Sequence, residues 1–336
     1  MLPKKLSQIA QFYQQRFGFK SQLLANPPHP NTQLIITIPC FNEPNLIPTL
    51  QSLLECYPTT CQVEVIVGIN AGEHVAPEIH VQNQKTKLEF IQWNTSIKNP
   101  ASHLRFQVID VNDLPAKHAG AGLARKVVMD EALYRFAQLD YDGGIVCLDA
   151  DCLVSPNYLT ELERAFVKNT HTQSAALYFE HPYQHEKNQQ LKAGISNYEL
   201  HLRYYIQGLR YAQFPYALHT VGSSMAVRAS TYALTGGMNR RKAGEDFYFM
   251  HKMMPQGDAI EINSTCVFPS CRMSDRVPFG TGRAQNEWMK NEEKVFYTYH
   301  PQIFTELKHF LEALPMWYQN EHTETLTLPP AMQTFL

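Results

Sequence analysis

Gly143-Gly-Ile-Val-Cys-Leu-Asp-Ala-Asp-Cys-Leu-Val-Ser-Pro-Asn-Tyr158 decides how this chain is read. Ile145 to Leu148 is a short apolar run behind a Gly-Gly turn, the pattern of a strand buried on both faces of a parallel sheet. Two carboxylates, Asp149 and Asp151, follow at its end. In open α/β sheets the carboxyl ends of the strands line the ligand crevice, and neighbouring carboxylates there need a cation or protons to relieve their repulsion. Mg²⁺ or Mn²⁺, held by one or two carboxylates and otherwise by water and substrate phosphates, is the simplest relief. A solvated turn is the competing reading, because Asp is common in turns and a bare Asp-x-Asp is a short motif.

Outward from this strand the chain alternates buried strands with helices. Leu34 to Pro39 is a first strand, and Cys40-Phe-Asn-Glu-Pro44 leads from its end into a helix over about 46–55. Val63 to Ile69 is a second strand, ending in Asn70-Ala-Gly-Glu73; residues 74 to about 104 read as a polar surface insertion without a motif. Phe106 to Val111 is the next strand. The glycines at 120 and 122 behind it allow backbone N–H groups to approach a ligand at the positive start of a helix, a setting that suits phosphate, and Lys117 and Arg125 add charge. That helix runs to about Gln138, with Val128, Ala132, Leu133 and Phe136 as its inward stripe.

Beyond Tyr158, a helix to about 167, a strand over 174–179 and a long tyrosine-rich amphipathic helix over 191–214 follow; the tyrosines either pack or line an acceptor cleft. Leu218-His-Thr-Val-Gly-Ser-Ser-Met-Ala-Val-Arg228 is a small-residue turn entering a strand, and His219 reads by default as a core histidine. Glu245 and Asp246 open an apolar helix behind Gly244; capping accounts for one acid, not obviously both. Arg272, Arg276 and Arg283, with Gly280 and Gly282, make 270–283 a diphosphate clamp or lid, or else a stretch of surface ion pairs.

Four stretches together resemble family 2 glycosyltransferases: Ile38-Pro-Cys-Phe-Asn-Glu-Pro44, Gly122-Leu-Ala-Arg125, the Asp149-Ala-Asp151 strand end and Gly244-Glu-Asp246. The resemblance covers about residues 32–250. It implies a GT-A fold, an α/β, Rossmann-like, mostly parallel sheet flanked by helices, with helical N- and C-terminal additions. It also implies an enzyme that transfers a sugar with inversion from a nucleotide-diphosphate sugar to a saccharide, lipid or small-molecule acceptor. Carried over residue by residue, it makes Pro39, Phe41 and Glu43 nucleotide contacts, with Gly122 and Arg125 against the donor. Asp149 and Asp151 become the ligands of Mg²⁺ or Mn²⁺, Gly222 and Ser223 acceptor contacts, and Asp246, with Glu245 behind it, the catalytic base. Asn70 stands where the family often has an aspartate; an amide still binds a base edge but selects less clearly. The expected organisation is an N-terminal extension (1–29), a glycosyltransferase domain (30–255) and a C-terminal extension (256–336).

Composition narrows the alternatives. The 29 basic and 31 acidic residues leave no basic face of the kind nucleic-acid binding requires. No apolar run approaches a membrane span and the start Met-Leu-Pro-Lys-Lys-Leu lacks a signal-peptide core, so a chain without a transmembrane segment is expected, at most in peripheral contact with a membrane. Seven cysteines without Cys-x-x-Cys spacing fit reduced thiols in the cytoplasm. Two other readings of the acids remain: a metal-dependent sugar nucleotidyltransferase, which ordinarily carries a Gly-rich basic loop where this chain has Phe-Asn-Glu, and a non-catalytic nucleotide- or sugar-binding protein.

Overall fold

In a computed structural model, the residues described are 5–20, 22–97, 103–273, 280–293 and 295–319. The sheet grows from β1 (Thr32–Cys40), in which Leu34, Ile35, Ile36 and Ile38 have no solvent exposure. A strand buried on both faces needs neighbours on both edges and helices above and below. β2 (Gln62–Gly72) and β4 (Gly144–Cys147) flank it, both parallel. β3 (Leu104–Leu114), β5 (Leu153–Val154), β6 (Thr172–Phe179), β7 (Met225–Arg228) and β8 (Asp258–Phe268) complete the order β3-β2-β1-β4-β7-β6-β8-β5. β7 runs antiparallel to β4 and β6, β5 antiparallel to β8, and the other pairs are parallel. This is the expected α/β class: a mostly parallel sheet flanked by helices, with helices toward both ends of the chain.

Helices α2 (Leu46–Leu54) and α4 (Ala121–Leu139) follow the expectation closely, while α1 (Leu6–Arg16) is shorter than the helix that the apolar spacing over residues 1 to about 25 predicts. Residues 77–96 do not: the stretch read as an insertion is α3 (Pro77–Ser96), a helix with Pro at its first turn. Its buried positions include Asn83 and Thr86, so its inward face carries no apolar period by which to recognise it. α4 departs differently. Beyond its apolar stripe it also buries Arg125, Lys126, Asp130, Glu131 and Arg135, each with a specific partner, as buried charges require. Arg135 forks onto Glu64 of β2, with neither side chain exposed, and donates to the Asn26 carbonyl at 2.9 Å. Asp130 accepts from the Tyr13 and Tyr232 hydroxyls (2.6 and 2.7 Å) and from the Phe19 N–H, while Glu131 accepts from the Leu23 and Leu24 N–H groups. The N-terminal segment is thereby tied to α4 by polar contacts.

Two compact units are present, Met1–Pro182 with Thr220–Arg283, and Tyr183–His219 with Ala284–Leu336. The first contains the sheet, together with α5 (Tyr158–Glu163), α7 (Ala229–Leu234) and α8 (Glu245–Met253). The second is built on α6 (Gln189–Tyr211), capped by Asn188, whose side chain accepts from the Gln190 N–H at 2.9 Å. α10 (Pro301–Gln319) lies against it where Gly208 leaves room: a Cβ there would sit 2.5 Å from the Phe304 ring. Ile206, Leu209, Ala217 and Phe304 form this unit's core, and Tyr204 and Tyr205 pack around it. Of the alternatives for the helix tyrosines, these two pack. His219, in the same unit, is pushed down to about 4 by burial and by Arg203 and Arg210, so it is neutral. α9 spans Thr281–Lys290, so the last residues of the stretch read as a loop over 270–283 are helical, whereas 274–279, including Arg276, lie outside the described residues.

Candidate active site

β1 and β4 end side by side. Their ladder stops at Thr37 and Cys147, extended by the Leu148 N–H to the Thr37 carbonyl at 3.1 Å. Pro39 lies beyond that last rung, where its missing N–H removes no bond to β4. Asp149 and Asp151 therefore emerge next to the β1 loop carrying Phe41 and Glu43.

Arg125, in the first turn of α4, sits among these acids. It is 6 % exposed; its Nε donates to Glu245 Oε1 at 3.0 Å, and its Nη1 lies 2.9 Å from Asp149 Oδ1. The second contact is close but poorly aligned with the N–H direction, leaving Nη1 without a well-directed acceptor. Burial pulls this guanidinium's pKa down; Asp149 and Glu245 more than compensate and hold it well above the ordinary arginine value. A fixed, buried cation whose donors are not all satisfied is suited to an incoming oxyanion.

Glu245 and Asp246 reach the same place because Gly244, at φ +67°, turns the chain into α8 through a conformation that disfavours other residues. Asp246 is partly exposed and accepts from the Phe247 N–H at 2.8 Å. Burial, reinforced by the charge of Glu245 and opposed by Arg125, raises its carboxyl from 3.8 to about 6. A carboxylate in that range is deprotonated at neutral pH and still basic enough to take a proton.

A second arginine joins the other two loops. Arg272 grips Glu43 with two N–H groups, one to Oε1 at 2.9 Å and the other to Oε2, and its Nη2 also lies 3.0 Å from Asp151 Oδ2. Glu43 is 1 % exposed and also accepts from the Asn45 N–H. In this structure its carboxylate holds Arg272 and shapes its own loop. Arg283, beyond the undescribed 274–279, closes the first unit, and Lys117 is exposed with no ion pair among the described residues.

Gly122, Gly222 and Ser223 are enclosed by protein atoms. Gly122 donates its N–H to the Arg241 carbonyl at 3.1 Å, and a Cβ there would lie 2.4 Å from that oxygen; the glycine admits the 239–242 loop and does not offer its N–H to a phosphate. Gly222 leaves room for the Arg125 guanidinium, whose Nη2 would be 2.4 Å from a Cβ. Ser223 is 3 % exposed beside Ser224, so its hydroxyl is buried in this structure.

Asn70 is oriented by the neighbouring backbone: Nδ2 donates one N–H to the Gly68 carbonyl at 3.0 Å. Asn83 of α3, absent from the sequence-derived site, organises this edge. Its Oδ1 accepts from the Asn42 N–H (3.0 Å), and its Nδ2 donates to the Asn70 carbonyl and to Asn112 Oδ1 (2.9 and 2.8 Å). One buried amide thus ties the ends of β1, β2 and β3. No local motif announces it.

The Asp-x-Asp resemblance implies a divalent cation. Among the described residues no group of three or more His, Cys, Asp or Glu side chains forms a ready metal cage. A cation shared with a diphosphate needs only one or two protein carboxylates. Asp149 and Asp151, with side chains 36 % and 25 % exposed, are hard donors of that kind and open to solvent, so the residues fit such an ion.

No family model matches the chain, and no curated protein matches it. Among solved structures, S. aureus TarS 1–349 is similar at 11 % identity and TM-score 0.45. Its UDP-GlcNAc complex gives 11 % and 0.49, and its UDP complex 12 % and 0.46. Each match covers 90 % of this chain and 77–78 % of the other. Likeness at this level carries no functional weight, and none of the seven cysteines is paired. No helix among the described residues is long and apolar enough to cross a membrane.

Proposed function

We propose that the chain is an inverting, hexosyltransferase-type glycosyltransferase acting on a nucleotide-diphosphate sugar. The observation that carries the proposal is the convergence of Asp149 and Glu245 on buried Arg125 near the carboxyl ends of parallel strands, with Asp246 next to Glu245 and raised to about 6. Asp246 takes the proton of the acceptor hydroxyl as that oxygen forms its bond to the anomeric carbon. The bond from that carbon to the diphosphate breaks, and its electron pair leaves on the nucleoside diphosphate. General-base assistance of this kind is worth roughly 10²–10⁴-fold. Arg125 and Arg272 place positive charge where the leaving group becomes more negative. Asp151 and Asp149 would hold Mg²⁺ or Mn²⁺, which when bound supplies further charge stabilisation on the diphosphate. Asn70, with one amide N–H committed to Gly68, has Oδ1 to accept from a base with a ring N–H such as uracil, and its second N–H makes the selection less sharp than an aspartate's would be.

The test is Asp246→Asn. Transfer should fall at least about 100-fold while nucleotide affinity changes little. Near-full turnover would remove Asp246 as the base, with Glu245 next to be substituted.

A further inference from the structure

Arg240, Arg241 and Lys242 are three consecutive exposed cations. Among the described residues none has a carboxylate within ion-pair distance. The contrast within the same unit is sharp, since Arg125, Arg135 and Arg272 each face at least one carboxylate. The chain's net charge is only −2, so this local excess of positive charge is not the reflection of a basic protein.

Nor is the segment a loose run of charge. The Arg241 carbonyl receives the Gly122 N–H, and Asn239 bridges it to α8: its Oδ1 accepts from the Arg241 N–H at 3.0 Å and its Nδ2 donates to the Glu245 carbonyl at 2.8 Å. The Arg241 guanidinium carbon lies 3.7 Å above the Tyr248 ring, and that of Arg240 lies 5.1 Å from the Phe19 ring. A guanidinium held over a ring by cation–π attraction loses less freedom when it binds an anion.

Tyr248 and Phe247 are 50 % and 42 % exposed, with ring centroids 5.4 Å apart edge to face, and they directly follow Asp246. Arg241 lies over one side of Tyr248 and the His251 ring packs on Phe247 at 4.3 Å, so the half-exposed remainder of the two rings, beside a proton-removing carboxylate, is what suits the apolar face of a sugar ring, and the cations suit an anionic substituent.

We infer that this lip is the acceptor subsite and that the acceptor is an anionic saccharide, bearing phosphate or carboxylate, met by Arg241 beside Tyr248, with its ring on Phe247 and Tyr248 and with Arg240 and Lys242, its chain neighbours, adding positive potential. The inference rests on the transferase reading for the word acceptor, but its recognition chemistry is measured separately. Binding of glucose 6-phosphate, glucuronic acid and glucose to the full chain is followed by ligand-observed NMR, with UDP and Mg²⁺ titrated in a parallel experiment. At least one charged sugar should bind roughly tenfold more tightly than glucose, and the better of the two identifies the anionic group. The advantage should shrink with added salt and disappear in R240Q/R241Q/K242Q, while R240K/R241K keeps most of it and UDP affinity is the same in all three proteins. Glucose binding as well as either anion overturns the inference. So does loss of UDP in the neutralised variant, which would assign the cations to the donor, or binding of anionic lipid vesicles with no charged sugar bound. Failure of the wild-type chain to bind any nucleotide would count against the transferase reading and leave the sugar comparison to stand on its own.

Discussion

Asp246→Asn should make the protein more stable at neutral pH while making it inactive. The carboxyl is raised from 3.8 to about 6 by burial and by Glu245, so the folded state prefers it protonated. A carboxyl raised on folding contributes stability below its unfolded value, and that contribution is lost as pH rises from about 3.8 through about 6. Asparagine resembles the protonated form and does not suffer this loss. The gap between 3.8 and about 6 sets a ceiling of about 3 kcal/mol above pH 7. Solvent around a half-buried group brings the expectation to roughly 1–2 kcal/mol. Thermal unfolding should place the variant a few degrees above the parent at about pH 8, with about half the free-energy difference left near pH 5 and little near pH 4. A variant less stable at pH 8, or a difference that does not change with pH, would show that Asp246 is not the strained acid described.

Arg135→Met should cost roughly 3–5 kcal/mol in denaturant unfolding, because Glu64 would be left charged and fully buried; adding Glu64→Leu to that variant should recover most of the loss. Arg272→Ala should weaken nucleoside diphosphate binding measured by calorimetry by about tenfold or more and destabilise the fold by roughly 1–3 kcal/mol, since Glu43 and Asp151 both lose a partner. Gly122→Ala forces a Cβ toward the Arg241 carbonyl; about 1–3 kcal/mol of stability should go, with a larger loss in turnover than in nucleotide affinity.

Much of the sheet could be read from the chain, because β1, β2 and β4 are buried on both faces and appear as apolar runs. The acids at 149, 151, 245 and 246 could be singled out because each follows a glycine-marked turn or strand end, and the structure brings Asp149 and Glu245 together on Arg125. What joins them was not legible. Arg272 and Glu43 are 229 positions apart, and Arg125 and Glu245 are 120 apart, so no local pattern records either pair. The glycines at 122 and 222 invited a ligand-binding reading, yet both make space for protein atoms. α3 escaped recognition because it buries Asn83 and Thr86 while exposing Val81, Leu88 and Ile91, the reverse of an amphipathic helix. Beyond the apolar stripe of α4, its buried charges carried no sequence signal, because their partners lie on α1, β2 and α7.

The most direct measurement is an NMR time course of the chain with Mg²⁺ or Mn²⁺, a panel of UDP-, GDP- and TDP-sugars and an anionic saccharide acceptor, following phosphorus and anomeric proton signals together. The account predicts release of nucleoside diphosphate matched by a new glycosidic signal of opposite anomeric configuration to the donor, absent with Asp246→Asn. Pyrophosphate release from a nucleoside triphosphate and a sugar phosphate in the same assay, or donor binding with no turnover by the wild-type chain across the panel, would contradict it.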